Sequence, residues 1–464
     1  MSKRKPTQKW DDMPIVHPNA AGIDMGSKEV WVCVPSDRDP EPVRYFATFT
    51  PDLQRLADWL VACGVDTVAM ESTGVYWIPL YEILEQRGLK VFLVNARHIQ
   101  RVPGRKTDIL DCQWLQKLHM LGLLSASFRP DAEMVALRTL LRHRGMLLEH
   151  RAPHILHMQK ALQQMNILLP QVLSDVTGDT GLKIIRAIVA GERNPVKLAQ
   201  LRSPNCKSSQ DTIAKALTGN YRPELLFTLS QALQLFDFYS NQVLACDAEI
   251  ERRYSAMKPR WDGPDELPDI QPVKKDSRSK NQPSFNVRAH LIRLTGVDFV
   301  GMMGISSSTA QTILSEVGSD MSCFPSEKCF ASWLGLAPRH EVSGGKLLRN
   351  GTLKGNRRAA QAFRQAALSV GRSESALGAY YRSHRARLGE AQAVVATAHK
   401  ISRIFYHLLK HREAFQPQSA ADYEAMLRER QLVHLKRKAA RLGMTLVPTA
   451  QITHLQPANS EVSQ

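Results

Sequence analysis

Four acidic residues in the first quarter of the sequence have the types and spacing of a divalent-metal site. Asp24 lies in the segment GIDMGSKEVWV, and Glu71 follows the apolar run TVAM. Asp108 and Asp111 lie in GRKTDILDCQWLQKL, where a spacing of three brings their like charges to one face of a helix. An ionised carboxylate in a buried strand is unfavourable unless a cation or hydrogen bonds compensate its charge. We therefore predict that all four carboxylates bind metal.

Magnesium is the metal that these oxygen donors predict. Mg²⁺ prefers hard oxygen ligands, and two ions about 4 Å apart are a common arrangement for phosphodiester chemistry. We expect two Mg²⁺ ions, with Mn²⁺ able to replace them. Taken one at a time, the carboxylates fit simpler interpretations. Asp24 could be a turn or cap residue and Glu71 a solvated strand end. Asp108 could be an ordinary first-turn acid of a helix capped by Thr107.

A serine in the last third of the chain has the surroundings of a nucleophile. Ser343 precedes two glycines in a strongly basic segment. A serine that attacks DNA needs an exposed hydroxyl, close backbone approach to phosphate and nearby cations. In isolation, a serine before Gly-Gly is an ordinary loop residue, and no group that would deprotonate it is evident. The cations that we expect to contact nucleic acid are Arg105, Lys106, Arg339, Lys346, Arg349, Lys354, Arg357 and Arg358. We predict that His340 and the basic segment 399–412 form a solvated or phosphate-facing surface.

Composition indicates a polyanionic partner. The 464 residues carry a net charge of +17, which favours nucleic acid, although a generally basic soluble protein would show the same balance. No apolar run is long enough for a membrane helix. Seven scattered cysteines without a C-x-x-C pair predict neither disulfides nor zinc. We expect a cytoplasmic, nucleoid-associated protein without a membrane partner.

The chemistry-bearing acids fall in a region that alternates strands and helices. AAGIDMGSKEVWVCVP and EPVRYFATFT are expected to be neighbouring strands separated by the turn SDRDP. Helix, strand, helix and strand follow, up to LKVFLVNA. This pattern predicts a mixed sheet covered by helices, an α/β ribonuclease-H-like (RuvC-like) domain at residues 20–130 after a basic tail at 1–19.

Beyond residue 130 the sequence is mostly helical. Apolar residues at alternating steps of three and four predict a helical coiled-coil arm at 131–257, for which a plain helical bundle is the alternative. We expect a proline-rich linker at 258–286, a mostly helical C-terminal domain at 287–412, and a basic helix with a polar tail at 413–464. Within the C-terminal domain, LTGVDFVGMMGISSSTAQTILSEVG fits half of a phosphate-holding helix-hairpin-helix or a simple capped helix, and Ser306 is expected to be the N-cap in either case.

Several long motifs resemble those of the DEDD insertion-sequence transposases of the IS110 family, which carry a RuvC-like domain. The matching segments are GIDMGSKEVWV, VAMESTGVYWIPLYEIL, VNARHIQRVPGRKTDILDCQWLQKLHMLGLL and GLAPRHEVSGG. The resemblance implies a DNA transposase or recombinase in which Asp24, Glu71, Asp108 and Asp111 hold the metal and Ser343 is the catalytic serine. It further implies guidance by a structured bridge RNA. Strand exchange needs two or more active sites, so we expect a dimer or tetramer, with sites that could combine residues of both domains.

Two other functions remain compatible with the residues. A metal-only nuclease or junction resolvase would use the carboxylates and leave Ser343 a structural role. A non-catalytic nucleic-acid-binding relative would keep only the fold, although the intact carboxylates and Ser-Gly motif disfavour it.

Overall fold

The computed structural model describes residues 13–72, 74–95, 107–259, 280–352 and 358–447. The chain divides into two compact units, Met1–Arg129 and Pro130–Gln464. Within these described ranges, no helix has the length and apolarity that crossing a membrane requires.

The first unit is built on a five-stranded mixed sheet. Its strand order is β3-β2-β1-β4-β5, in which β1, β2 and β3 are antiparallel neighbours while β4 and β5 run parallel to β1. The elements are β1 (Ala20–Met25), β2 (Glu29–Cys33), β3 (Val43–Ala47), α1 (Thr50–Ala62), β4 (Thr67–Glu71), α2 (Trp77–Gln86), β5 (Lys90–Val94) and α3 (Asp108–Met120). The predicted mixed sheet with helices is confirmed.

The first predicted strand is wrong in one respect, because AAGIDMGSKEVWVCVP forms two strands. The Gly26 N–H donates to the Glu29 carbonyl at 2.9 Å and closes a turn between β1 and β2. The segment therefore folds back on itself and pairs Ile23 with Val32. Gly26 and Ser27 are turn-forming residues, but because apolar residues lie on both sides of them we predicted one continuous strand.

The two faces of the sheet are covered differently. Ala21, Ile23 and Met70 face one side and form the main core with α1 and α2. Ala69 faces the other side and packs with Leu115 of α3 in a smaller cluster. Because side chains alternate along a strand, Gly22 and Asp24 project to the α3 side.

The second unit begins with two long antiparallel helices, α4 (Ala132–Gln164) and α9 (Pro223–Ala256). Their direction follows from paired positions: Cys246 lies against Leu140, whereas Tyr239 stacks on His154. Most of the apolar stripe predicted for α9 is buried, namely Leu229, Ala232, Phe236, Val243, Cys246 and Ile250, while Tyr239 of the same stripe is half-buried. Four short helices share one apolar core with the adjoining ends of α4 and α9: α5 (Leu169–Val172), α6 (Asp179–Val189), α7 (Pro195–Gln200) and α8 (Gln210–Ala216).

The remainder of the second unit is mostly helical, as expected, but includes a β-hairpin that we did not predict. Its elements are α10 (Val287–Thr295), α11 (Ser307–Val317), α12 (Glu327–Trp333), β6 (Pro338–Ser343), β7 (Lys346–Thr352), α13 (Arg358–Val370), α14 (Ala376–Leu388), α15 (Glu390–His411) and α16 (Ala420–Arg441). Ser306 caps α11 by accepting from Thr309 N–H at 3.2 Å, as predicted. Gly304, before this cap, packs against α13, where a Cβ would lie 2.3 Å from Val370.

Candidate metal centre and serine hairpin

Three of the four predicted carboxylates meet in the first unit. Asp24, Asp108 and Asp111 each offer a carboxylate oxygen, and these oxygens lie within 4.8 Å of one another. Asp24 and Asp111 are half-buried and Asp108 is exposed, so the group is open to solvent on one side. Three oxygen donors at this separation fit a hard divalent cation, which would offset their mutual repulsion.

A glycine brings α3 close enough to β1 for these side chains to meet. A Cβ on Gly22 would lie 2.3 Å from both the Cys112 carbonyl oxygen and the Gln116 nitrogen. The Gln116 side-chain amide also donates to the Ala20 carbonyl at 3.3 Å. Helix α3 is thus fixed on the strand with its first turn beside Asp24.

Local sequence determines where α3 begins. The Thr107 side chain accepts from Leu110 N–H at 3.3 Å, and the Thr107 carbonyl accepts from Asp111 N–H at 3.0 Å. Asp108 and Asp111 consequently occupy the first turn, where the helix dipole favours negative charge. The predicted cap at Thr107 is therefore confirmed.

Glu71 is on the neighbouring strand and is not within the 4.8 Å group. In the parallel pair, Ile23 of β1 is opposite Met70 of β4. The next position on each strand is Asp24 and Glu71, so both project to the α3 side of the sheet at adjacent strand ends. Its role as a fourth ligand remains a prediction.

The thiol beside the carboxylates stays neutral. Burial, assisted by Cys33 and Asp24, raises the pKa of Cys112 to about 12. The Cys112 thiol donates to the Ile109 carbonyl at 3.1 Å, and the ligand atoms that lie within 4.8 Å of one another are all carboxylate oxygens.

Ser343 lies at the tip of the hairpin formed by β6 and β7. It pairs with Lys346, and the two intervening glycines have φ values of +56° and +75°. Positive φ at both central positions is what a type I′ turn requires. Ser343 is exposed, as a nucleophile must be. The Gly-Gly pair was the signal from which the hairpin could have been predicted.

The predicted basic contacts are only partly within the described residues. Arg339 and Lys346 are exposed on the hairpin, and Arg358 is exposed at the start of α13. Arg105, Lys106, Lys354 and Arg357 lie outside the described residues, as do the side chains of His340 and Arg349.

Sequence reasoning missed Gly22 and Gln116, which position α3. The available signal was a glycine inside a strand, which often marks close approach of another backbone. We interpreted this segment through Asp24 and not through the glycine. The sequence alone does not indicate which helix approaches Gly22.

Comparison with known proteins assigns the family. Residues 21–167 match the family of DEDD transposases of the IS110 type, and residues 299–382 match the transposase family IS116/IS110/IS902. No curated protein is significantly similar to the chain. The three clustered carboxylates and Glu71 fall in the first matched region, and Ser343 falls in the second. The chain therefore belongs to the IS110 family of DEDD transposases.

Proposed function

We propose that this transposase cuts and rejoins DNA with Mg²⁺ held by Asp24, Asp108 and Asp111, with Glu71 as a fourth ligand. The observation that carries the proposal is the approach of three carboxylate oxygens to within 4.8 Å of one another. Two bound Mg²⁺ ions would supply charge stabilisation for the attacking and leaving oxygens of a phosphodiester. The donor set, with no thiolate among it, supports magnesium over zinc.

The protein's own contribution at this centre is rigid placement of negative charge. Asp24 belongs to a central strand, and Asp108 and Asp111 belong to a capped helix turn packed on that strand. Side chains placed by such elements need little reorganisation when a cation and a phosphate bind.

The metal proposal is tested by an Asn substitution at each carboxylate. Asp24→Asn and Asp111→Asn are expected to abolish strand cleavage and to remove the Mg²⁺-dependent rise in melting temperature that we expect for the unaltered protein. Asp211→Asn, which changes a first-turn acid of α8, is the matched control and should change neither. Cleavage that persists in both variants, or that is indifferent to chelation of Mg²⁺, would contradict the proposal.

We propose further that the Ser343 hydroxyl attacks the DNA and forms a covalent link to it. Support comes from its exposure at a tight turn and from the neighbouring Arg339 and Lys346. Ser343→Ala should eliminate a protein–DNA adduct on denaturing gels, while Mg²⁺ binding persists. Ser369→Ala, at an exposed position of α13, is the control. If Ser343→Ala still cuts DNA at the unaltered rate, the chain acts as a metal-only nuclease.

The guide and the assembly are proposed from the family resemblance and the reaction type. We infer from the resemblance to the family that a structured RNA directs the transposase to donor and target DNA; the net charge of +17 suits RNA as well as DNA. Exchange of two strands requires at least two copies of the chain. Sequencing of co-purified RNA and light scattering of the DNA complex test these points. A monomer that recombines DNA after ribonuclease treatment would refute both.

A further inference from the structure

A row of side chains crosses the sheet from the metal centre to its edge. Asp24 of β1 pairs with Trp31 of β2, and Trp31 pairs with Tyr45 of β3. Directly paired residues of antiparallel strands project to the same face of the sheet. The carboxylate and the two aromatic rings are therefore neighbours on the α3 side, with successive strands about 4.8 Å apart.

The two rings form an open platform. Their centroids are 5.3 Å apart with an interplanar angle of 36°, so the planes are tilted. Tyr45 is on the edge strand and 63% exposed, while Trp31 is half-buried. The next residue, Phe46, packs instead against Trp59 beside the main core. Of the two aromatic residues of β3, Phe46 therefore packs at the core, whereas Tyr45 on the opposite face is exposed to solvent.

We propose that Trp31 and Tyr45 stack an unpaired base of the DNA strand whose phosphate is held at Asp24, Asp108 and Asp111. This inference rests on the proposed function of the carboxylates. A phosphate bound beside Asp24 brings its attached nucleotides within one or two strand spacings, which is where the rings lie. Aromatic faces bind bases of any sequence.

The base must be unpaired. Inside a duplex, both faces of a base pair are covered by neighbouring pairs, so a side-chain ring can stack only on a base that is terminal, splayed or single-stranded. The platform therefore selects DNA that is opened at the cleavage point and fixes the position of the strand relative to the metal centre. It supplies no sequence readout, because every base has a π-face.

The direct test is binding of the full chain to a labelled 20-nucleotide single-stranded DNA, with Ca²⁺ replacing Mg²⁺. Trp31→Ala and Tyr45→Ala should each weaken binding by about 5- to 100-fold, and leave binding to a covalently closed circular duplex, which has no terminal base, unchanged. Trp31→Phe and Tyr45→Phe keep a ring and should restore most of the affinity. Phe227→Ala, at another exposed aromatic residue (64% exposed) in the second unit, is the control. Melting temperatures of all variants separate lost stacking from lost folding.

Cross-linking from 5-iodouracil in the DNA identifies the contact itself. Adducts on Trp31 or Tyr45 support the platform. Unchanged single-strand affinity in both alanine variants, or equal loss for duplex and single strand, overturns it. The same binding measurements with a 20-nucleotide oligoribonucleotide distinguish DNA from RNA. If the alanine variants lose affinity for RNA only, the assignment to DNA is overturned. If Asp24→Asn abolishes cleavage while Trp31→Ala binds normally, the platform alone fails. If Asp24→Asn cleaves normally, the proposed function fails.

Discussion

Gly22 and Gln116 are in backbone contact so close that no side chain fits at the glycine. A Cβ there would lie 2.3 Å from the Gln116 nitrogen, an approach that real Cβ atoms do not make. The opposing atoms are helix backbone, which cannot rotate away as a side-chain end can. This contact sets the distance between Asp24 on the strand and the acids in the first turn of α3.

Gly22→Ala is therefore expected to displace α3 and separate the carboxylates. Overpacking of this kind costs about 1–3 kcal/mol, and the variant should also lose the Mg²⁺-dependent rise in melting temperature. Hydrogen exchange of α3 peptides measures the displacement. Gly145→Ala is the matched control, because nothing lies within 4 Å of a Cβ there. That change in a helix should be neutral or stabilising by up to about 1 kcal/mol. Normal metal binding by Gly22→Ala would show that the contact does not set the site.

Burial of His119 predicts that the first unit loses stability in mild acid. Burial, with a smaller effect of His17, lowers the pKa of His119 to about 4. The Thr67 hydroxyl donates to the Lys90 carbonyl, so we assign His119 Nε2–H as the donor to Thr67 Oγ1, at 2.9 Å. The other ring nitrogen, Nδ1, is buried without a partner among the described residues.

The direction of the pH effect follows from proton uptake. An unfolded histidine binds a proton near pH 6.5 and the folded one only near pH 4, so acid between these values favours unfolding. From pH 7.5 to pH 5 the loss is about 2 kcal/mol. The measurement is the protection of β4 and α3 amides relative to intrinsic exchange, which itself slows in acid; this protection should be lower at pH 5 than at pH 7.5. His119→Phe should flatten the pH dependence, whereas His434→Phe, at an exposed position of α16, should not. An unchanged slope in His119→Phe would assign the acid sensitivity to other groups.

The sequence predicted the parts of the fold that are encoded locally. The periodicity of apolar residues, with glycines at the helix ends, predicts α1, β4, α2 and β5. The Thr107 cap is predicted from residue type alone. The sequence predicts the carboxylate cluster because an acid within a strand and two acids on one face of a helix start are all stabilised by one kind of partner, a divalent cation. The geometry of the cluster is not predicted, because the Gly22 contact joins residues more than ninety positions apart.

Buried polar partners were equally hard to foresee. Two arginines interrupt the apolar stripe of α4, and the sequence does not reveal whether such residues face solvent or a partner. Arg144 is in fact buried and forms an ion pair with Asp247 of α9. Asp247 follows Cys246, which belongs to the apolar stripe of α9. The stripe indicates which face of α9 is buried, but the sequence does not indicate which residue of another helix contacts Asp247.

Removing one member of this ion pair should be strongly destabilising. The side chains of Arg144 and Asp247 are 9% and 1% exposed, and Arg144 also donates to the Asn281 carbonyl at 3.0 Å. Asp247 accepts from Ser284 N–H at 3.0 Å. Asp247→Ala leaves an unpaired buried guanidinium, so we expect a loss of about 3–5 kcal/mol and faster proteolysis at residues 281–284. Thermal unfolding and limited proteolysis measure the two effects.

A surface ion pair in the same unit provides the comparison. Arg186 and Asp237 have side chains that are 51% and 38% exposed, so Asp237→Ala should cost less than about 1 kcal/mol. Replacing both Arg144 and Asp247 by leucine should recover much of the loss, because no charge is then stranded. Equal destabilisation by Asp237→Ala and Asp247→Ala would refute the burial argument.

The turn that presents Ser343 should depend on backbone conformation alone. Gly344 has a φ of +56°, and nothing lies within 4 Å of a Cβ built there. A β-branched residue strongly disfavours positive φ, whereas asparagine accepts it. Gly344→Val should therefore open the hairpin and reduce the covalent DNA adduct as Ser343→Ala does, while Gly344→Asn preserves both. Hydrogen exchange of β6 and β7 should rise only in the valine variant, and the melting temperature should not change in either. Normal adduct formation by Gly344→Val would mean that the serine works without this turn.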